Sequence, residues 1–134
     1  MAGSTLGTYL TPAWANLFVE SDVAADAEWN FFRANSAMQV LAVYAVNDAA
    51  IATATNTLQV IIGKKAGGTG TFATIANFAA TSTWAADTPR TGTLTAANTK
   101  LPAGTWLAYK RDETGTGVET RMSVHVDLVA GYYN

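Results

Sequence analysis

The sequence contains one histidine, His125, and no cysteine. A Ser-His-acid triad would have to use this imidazole, yet no Gly-x-Ser-x-Gly motif presents a nucleophilic serine. A zinc site needs three or four ligands, mostly nitrogen or sulfur, and one histidine without cysteines does not supply them. We therefore expect His125 to be an ordinary surface or interface residue. The sequence predicts no catalytic residue, no metal site and no cofactor.

Three carboxylates, Asp112, Glu113 and Glu119, lie close together near the end of the chain. Carboxylate pairs can hydrolyse glycosides, and clusters of oxygen ligands can bind calcium. Lys110 and Arg111 precede these acids, and no Asp-x-Asp-x-Asp-Gly calcium loop is present. We expect solvated charges that partly cancel.

Two glycine-rich segments, at 67–70 and 115–117, superficially resemble loops that bind phosphate. Neither has the Gly-Lys-Ser/Thr of a P-loop or the Gly-x-Gly-x-x-Gly that follows a strand in dinucleotide-binding folds. These glycines therefore indicate turns with positive φ angles.

Aromatic residues could form a platform for sugar stacking, because their faces pack well against sugar rings. The residues considered for such a platform are Trp84, Trp106, Tyr109, Tyr132 and Tyr133. The alternative is that the tryptophans are core residues or interface anchors. Further aromatic residues lie at 14–35, and there we expect core packing, including Trp14 and Phe18.

The clearest structural pattern lies in Gly104 to Val129, where two strand-like runs flank a polar loop. Met122, Val124, Val126 and Leu128 alternate with Arg121, Ser123, His125 and Asp127. This period of two is typical of a strand with one buried face. The segment predicts a hairpin.

Other strands are predicted along the chain. Residues 37–46 form a nearly continuous apolar run, which we expect to be buried on both faces, in the centre of a sandwich or under a partner. Residues 57–63, 71–78 and 91–95 add shorter strands. Seven or eight short strands favour an all-β fold, a single-domain β-sandwich with a jelly roll as the leading topology. The competing α+β interpretation places helices at 22–34 and 76–86.

Composition excludes some functions. The net charge is −2 and no basic block exists, so nucleic-acid binding has no electrostatic basis. No apolar run approaches the roughly 20 residues of a membrane span, and no signal peptide is visible. We expect a soluble protein made in a cytoplasm, with no small-molecule substrate. Only 13% of residues are charged, which suits either a subunit packed in an assembly or an ordinary small β domain.

The two ends of the chain are the predicted contact regions. Residues 1–13 are predicted to form an extended N-terminal arm that docks on a neighbouring subunit, and residues 14–134 the β-sandwich domain. The C-terminal tyrosines should pack against another subunit. The predicted oligomer or capsid interface residues are Leu6, Tyr9, Leu10, Pro12, Trp14, Tyr132 and Tyr133.

The layout of residues 37–129 resembles that of capsid decoration (cement) proteins of tailed phages with a jelly-roll or β-sandwich fold. The resemblance lies in the apolar strand at 38–46, the turn Leu101 to Gly104, the Gly-Thr-Gly loop at 115–117 and the final alternating strand at 122–129. It implies a homotrimer on the capsid exterior that bridges major capsid subunits. The alternative is a receptor- or carbohydrate-binding module of a phage fibre or spike.

Overall fold

A computed structural model of the chain describes residues 11–21, 27–51, 57–78, 83–114 and 120–132. These residues form strands and one short 3-10 turn, Ala96–Asn98. The strands are β1 (Thr11–Ser21), β2 (Ala27–Arg33), β3 (Met38–Asn47), β4 (Thr57–Ala66), β5 (Ala73–Asn77), β6 (Arg90–Thr91), β7 (Thr93–Leu94), β8 (Lys100–Leu101), β9 (Thr105–Thr114) and β10 (Thr120–Ala130). Among the described residues, no helix is long and apolar enough to cross a membrane.

The strands form two antiparallel sheets. In sheet A the order is β1-β10-β3-β6, and β8 also pairs with β3. In sheet B the order is β2-β9-β4-β5-β7. The all-β sandwich predicted from the sequence is therefore confirmed.

The pairing is nested along the chain. The first strand, β1, pairs with the last, β10, and β2 pairs with β9. Further in, β3 pairs with β6 and β8, and β4 pairs with β5. Successive pairs alternate between the two sheets, as in an antiparallel ribbon rolled into a double-sheet jelly roll.

This nesting overturns the predicted hairpin. Strands β9 and β10 follow one another in sequence but lie in different sheets, so they do not pair with each other. The alternation in β10 was read correctly: Met122, Val124 and Val126 are buried, whereas Arg121 and Ser123 are exposed. Asp112 and Glu113, predicted in the loop, belong to β9.

The core lies between the two sheets. Sheet A contributes valines and leucines from β3 and β10, and sheet B contributes isoleucines and leucines from β4, β5 and β9. The largest fully buried side chain is that of Trp84, whose ring stacks on Phe78 at a centroid distance of 5.8 Å. Its backbone forms an isolated bridge with Ile51.

The competing helices are wrong wherever the structure describes the chain. Residues 27–33 form β2, and Ala76 and Asn77 belong to β5. Residues 22–26 and 79–82, which complete the two predicted helices, lie outside the described residues. Strand β1 includes residues 11–13 of the predicted arm, and residues 1–10 also lie outside the described part.

The apolar strand β3 is buried on one face of the chain only. Val40, Val43 and Ala45 face the core, whereas Leu41 and Tyr44 face outward. A bulge opposite Asp127 and Leu128 leaves Leu41 as the extra residue, which shifts the alternation of the strand. The prediction that this strand is buried on both faces is therefore wrong for the chain alone.

The segment predicted as one strand at 91–95 changes sheet at Gly92. Strand β6 pairs with β3 in sheet A, and β7 pairs with β5 in sheet B. A second link between the sheets is the 2.7 Å hydrogen bond that Lys64 Nζ of β4 donates to the carbonyl oxygen of Lys100 in β8. Burial lowers the pKa of Lys64.

Candidate functional site

The outward surface of sheet A begins with the alternation of side chains along β1. In β1, Ala15 and Val19 are buried under the sheet, whereas Trp14, Asn16 and Phe18 point outward. The inward side chains, among them Ala15 and Leu17, pack against the core, and the larger aromatic ones remain outside. The pairing register then aligns each outward residue of β1 with one of β10: Trp14 with Asp127, Asn16 with His125, and Phe18 with Ser123.

The large apolar side chains exposed in the described part of the chain share this one surface. Trp14 and Phe18 are each 63% exposed, Leu41 is 42% exposed and Tyr44 is 40% exposed. We call these four residues the apolar patch. Scattered exposed apolar residues are normal, but their concentration on one face is typical of a protein–protein or ligand contact.

A polar row crosses the middle of this face. His125 Nδ1 lies 2.7 Å from Asn16 Oδ1, and His125 Nε2 lies 2.6 Å from Asp127 Oδ1. The Tyr44 ring stacks beside the imidazole, with centroids 6.2 Å apart. When the imidazole is protonated, both ring nitrogens donate to these oxygens.

A groove with a volume of about 560 Å³ lies beside this row. Phe18 of β1 and Tyr44 and Val46 of β3 line it, with Ser123 and His125 of β10 between them. Pro89, which precedes β6, is also part of its lining. Strands β1 and β3 flank β10, so the outer walls stand about 9.5 Å apart at the backbone. An aromatic or branched apolar side chain fits this width.

The row Ser123, His125 and Asp127 contains the residue types of a hydrolase triad but not its arrangement. A triad histidine binds the acid with one nitrogen and the serine with the other. Here the second nitrogen contacts Asn16 instead of Ser123. Within the described residues, no group of three or more His, Cys, Asp or Glu side chains is placed to hold a metal ion.

The structure places some of the predicted interface residues on this surface. Pro12 and Trp14 are exposed on the outward side of β1. Tyr132 is half-buried, with Lys100 Nζ lying 5.2 Å from the centre of its ring. Leu6, Tyr9, Leu10 and Tyr133 lie outside the described residues, and their role stays a prediction.

Sequence reasoning missed Phe18, Leu41 and Tyr44 as surface residues. It placed Phe18 in the core, and it named Trp14 both for the core and for the interface. The exposure of Phe18 could have been predicted from the alternation of residues at 12–19, since Ala13 and Ala15 alternate with Trp14 and Asn16. The exposure of Leu41 and Tyr44 follows from the bulge in β3, which has no sequence signature here. The expectation of core packing does hold for Trp29, Phe31 and Phe32, which pack against the core.

The proposed sugar platform does not exist as predicted. Trp84 and Tyr109 are fully buried, so their faces cannot stack on a ligand. Trp106 is half-buried in sheet B, on the opposite side of the molecule from the apolar patch.

No protein-family model matches the sequence, and no curated protein matches it. Among solved structures, the fold is similar to that of a chain in the cyanophage Pam1 capsid asymmetric unit, with a TM-score of 0.53 and 17% identity over 92% of this chain and 86% of that chain. Weaker similarities are to a structure of infectious bursal disease virus Gx strain (TM-score 0.43, 14% identity, 91% of this chain and 33% of that chain) and to Eiger TNF from S. frugiperda (0.41, 13%, 93% and 94%). The chain therefore has a fold that it shares, over nearly its whole length, with a component of a phage capsid.

Proposed function

We propose that the protein is a non-enzymatic virion structural protein that decorates a phage capsid and stabilises it by bridging major capsid subunits. The observation that carries this proposal is the apolar patch: Trp14, Phe18, Leu41 and Tyr44 are exposed on one face of one sheet. Leaving aromatic side chains in water is unfavourable, and Trp14, Phe18 and Tyr44 leave 63%, 63% and 40% of their surface exposed for a partner to cover.

Two further observations support the proposal. The low charged fraction, 13%, suits a subunit that is packed in an assembly. The fold is similar to that of a chain in the Pam1 capsid asymmetric unit. The capsid exterior as the location, the major capsid protein as the partner and a trimer as the oligomer are parts of this proposal. The same holds for the division into a docking arm, 1–13, and a sandwich domain, 14–134.

Binding to capsid shells tests the proposal. Purified protein is mixed with shells of the major capsid protein from the same genome, and bound protein is measured by co-sedimentation. We expect saturable binding that raises the temperature at which the shells open. The double substitution Trp14→Ser and Phe18→Ser should weaken binding by at least about tenfold, since aromatic anchors dominate interface energies.

The control is Pro102→Ser, an exposed residue in the turn before β9. It should bind like the wild type. The proposal is wrong if wild-type protein does not bind these shells at tens of micromolar, or if it binds without any effect on their stability.

A further inference from the structure

We propose that a second copy of this chain occupies the groove on sheet A, with its Trp14 side chain inserted between Phe18 and Tyr44 of the first copy. This inference deepens the proposed structural role, on which it rests, by naming the partner that covers part of the apolar patch.

The face carries both halves of such a contact. Trp14 is 63% exposed and does not line the groove of its own chain. It stands four residues along β1 from Phe18, a distance of about 14 Å. A closed ring of identical subunits, such as the proposed trimer, requires a projecting group and a complementary recess on every copy. Trp14 and the groove meet this requirement.

The charges of the face also suit self-association. Glu20 and Arg121 form an ion pair with a 3.4 Å separation, and Asp127 contacts His125. Lys100 of β8 adds a second basic group on the outward side. Asp48, which accepts a hydrogen bond from the backbone N–H of Arg121, is a third acid at this end of the face. With neutral histidine, three acids and two bases leave a net charge of −1. Because this net charge is small and both signs are present, two copies can approach with little like-charge repulsion.

The available area is sufficient. Strands β1, β10 and β3 are 10 or 11 residues long. At about 3.4 Å per residue and about 4.8 Å per strand, they present roughly 500 Å² on each copy. Two copies would bury about 1,000 Å² before the short strands β6 and β8 are included, which reaches the lower limit of specific interfaces.

The polar atoms of the groove favour an apolar side chain over a sugar. Both ring nitrogens of His125 already contact oxygens of its own chain, those of Asn16 and Asp127. A sugar needs several hydrogen bonds, and neither nitrogen of this imidazole is available for one without breaking these contacts. An indole that fills the space between Phe18 and Tyr44 packs against both rings and leaves the contacts of His125 intact.

The first test blocks the groove with Ser123→Arg, which adds a long charged side chain at an exposed position on its floor. Thr93→Arg is the matched control, because Thr93 is exposed on a strand of sheet B. In sedimentation velocity at micromolar concentrations, wild type and Thr93→Arg should form the same oligomer. Ser123→Arg should dissociate at least about tenfold more readily.

The second test identifies the contact itself. A photoreactive benzoylphenylalanine replaces Tyr44 in isotopically light protein, which is mixed with heavy wild-type protein and irradiated. Mass spectrometry should find the cross-link between the light probe and the heavy peptide that contains Trp14.

The outcomes separate this inference from the proposed function. A wild-type monomer that still binds capsid shells would overturn the second copy and leave the structural role standing. An oligomer that Ser123→Arg does not weaken, or cross-links only to other peptides, would also overturn it. Specific glycan binding that Ser123→Arg abolishes in a monomer would assign the groove to a sugar instead. If the oligomer gives the predicted cross-link but does not bind capsid shells, the contact between copies is supported and the proposed capsid function is wrong.

Discussion

Trp14 and Trp84 carry the same side chain in opposite environments. Trp84 is 1% exposed, stacks on Phe78 and has the Arg90 guanidinium 5.2 Å from its ring centre. Trp14 projects from the outward side of β1. The first residue serves the fold of the single chain, whereas the second contributes little to that fold. From the sequence, the tryptophans were expected to be core residues or interface anchors, but no pattern divided them between core and surface.

The same substitution at these two positions should therefore have different effects. Trp84→Ala should lower the free energy of unfolding by about 3–5 kcal/mol, because it leaves a large cavity. Trp14→Ala should change it by about 0.5 kcal/mol or less, as is usual for exposed positions. Urea unfolding at a dilute protein concentration, where the chains are separate, measures both. Equal losses in the two variants would contradict the assignment of Trp14 to a contact surface.

At the scale of elements, strand existence was easier to predict than strand pairing. Alternation in β10 and the apolar character of β3 depend on neighbours in the sequence, and both were recognised. Pairing in a jelly roll joins the first strand to the last, so no local pattern shows that β9 and β10 lie in different sheets. For the same reason, the bulge that exposes Leu41 and the change of sheet at Gly92 were not foreseen.

Gly92 offers a test of this change of sheet. A Cβ atom built there would lie 3.0 Å from the Ala76 Cβ and 3.1 Å from the Phe78 ring. Gly92→Ala should therefore destabilise the chain by about 1–3 kcal/mol through overpacking. Thr93→Ala, at the exposed next position, is the control and should have little effect. The comparison is made by thermal unfolding, and an unchanged Gly92→Ala variant would mean that this crossing is looser than described.

At the scale of the whole molecule, the fold could be predicted from the sequence, but the apolar patch could not. The all-β sandwich followed from the number and spacing of short strands, and the structure confirms it. The patch did not follow, because its four residues come from β1 and β3 and meet only when β10 lies between them. The sequence predicted contacts at the chain ends, and Pro12 and Trp14 are the described members of that set that lie on the face. The central claim is that this face is buried when the protein performs its function.

Oxidative footprinting of capsid-bound protein tests this claim most directly. Hydroxyl radicals modify accessible aromatic side chains, and mass spectrometry gives the rate at each one in free, dilute protein and in the bound state. We predict that Trp14, Phe18 and Tyr44 become strongly protected on binding, whereas Trp106 on sheet B keeps its rate. Unchanged rates at the three patch residues, or protection of Trp106 in their place, would contradict the account.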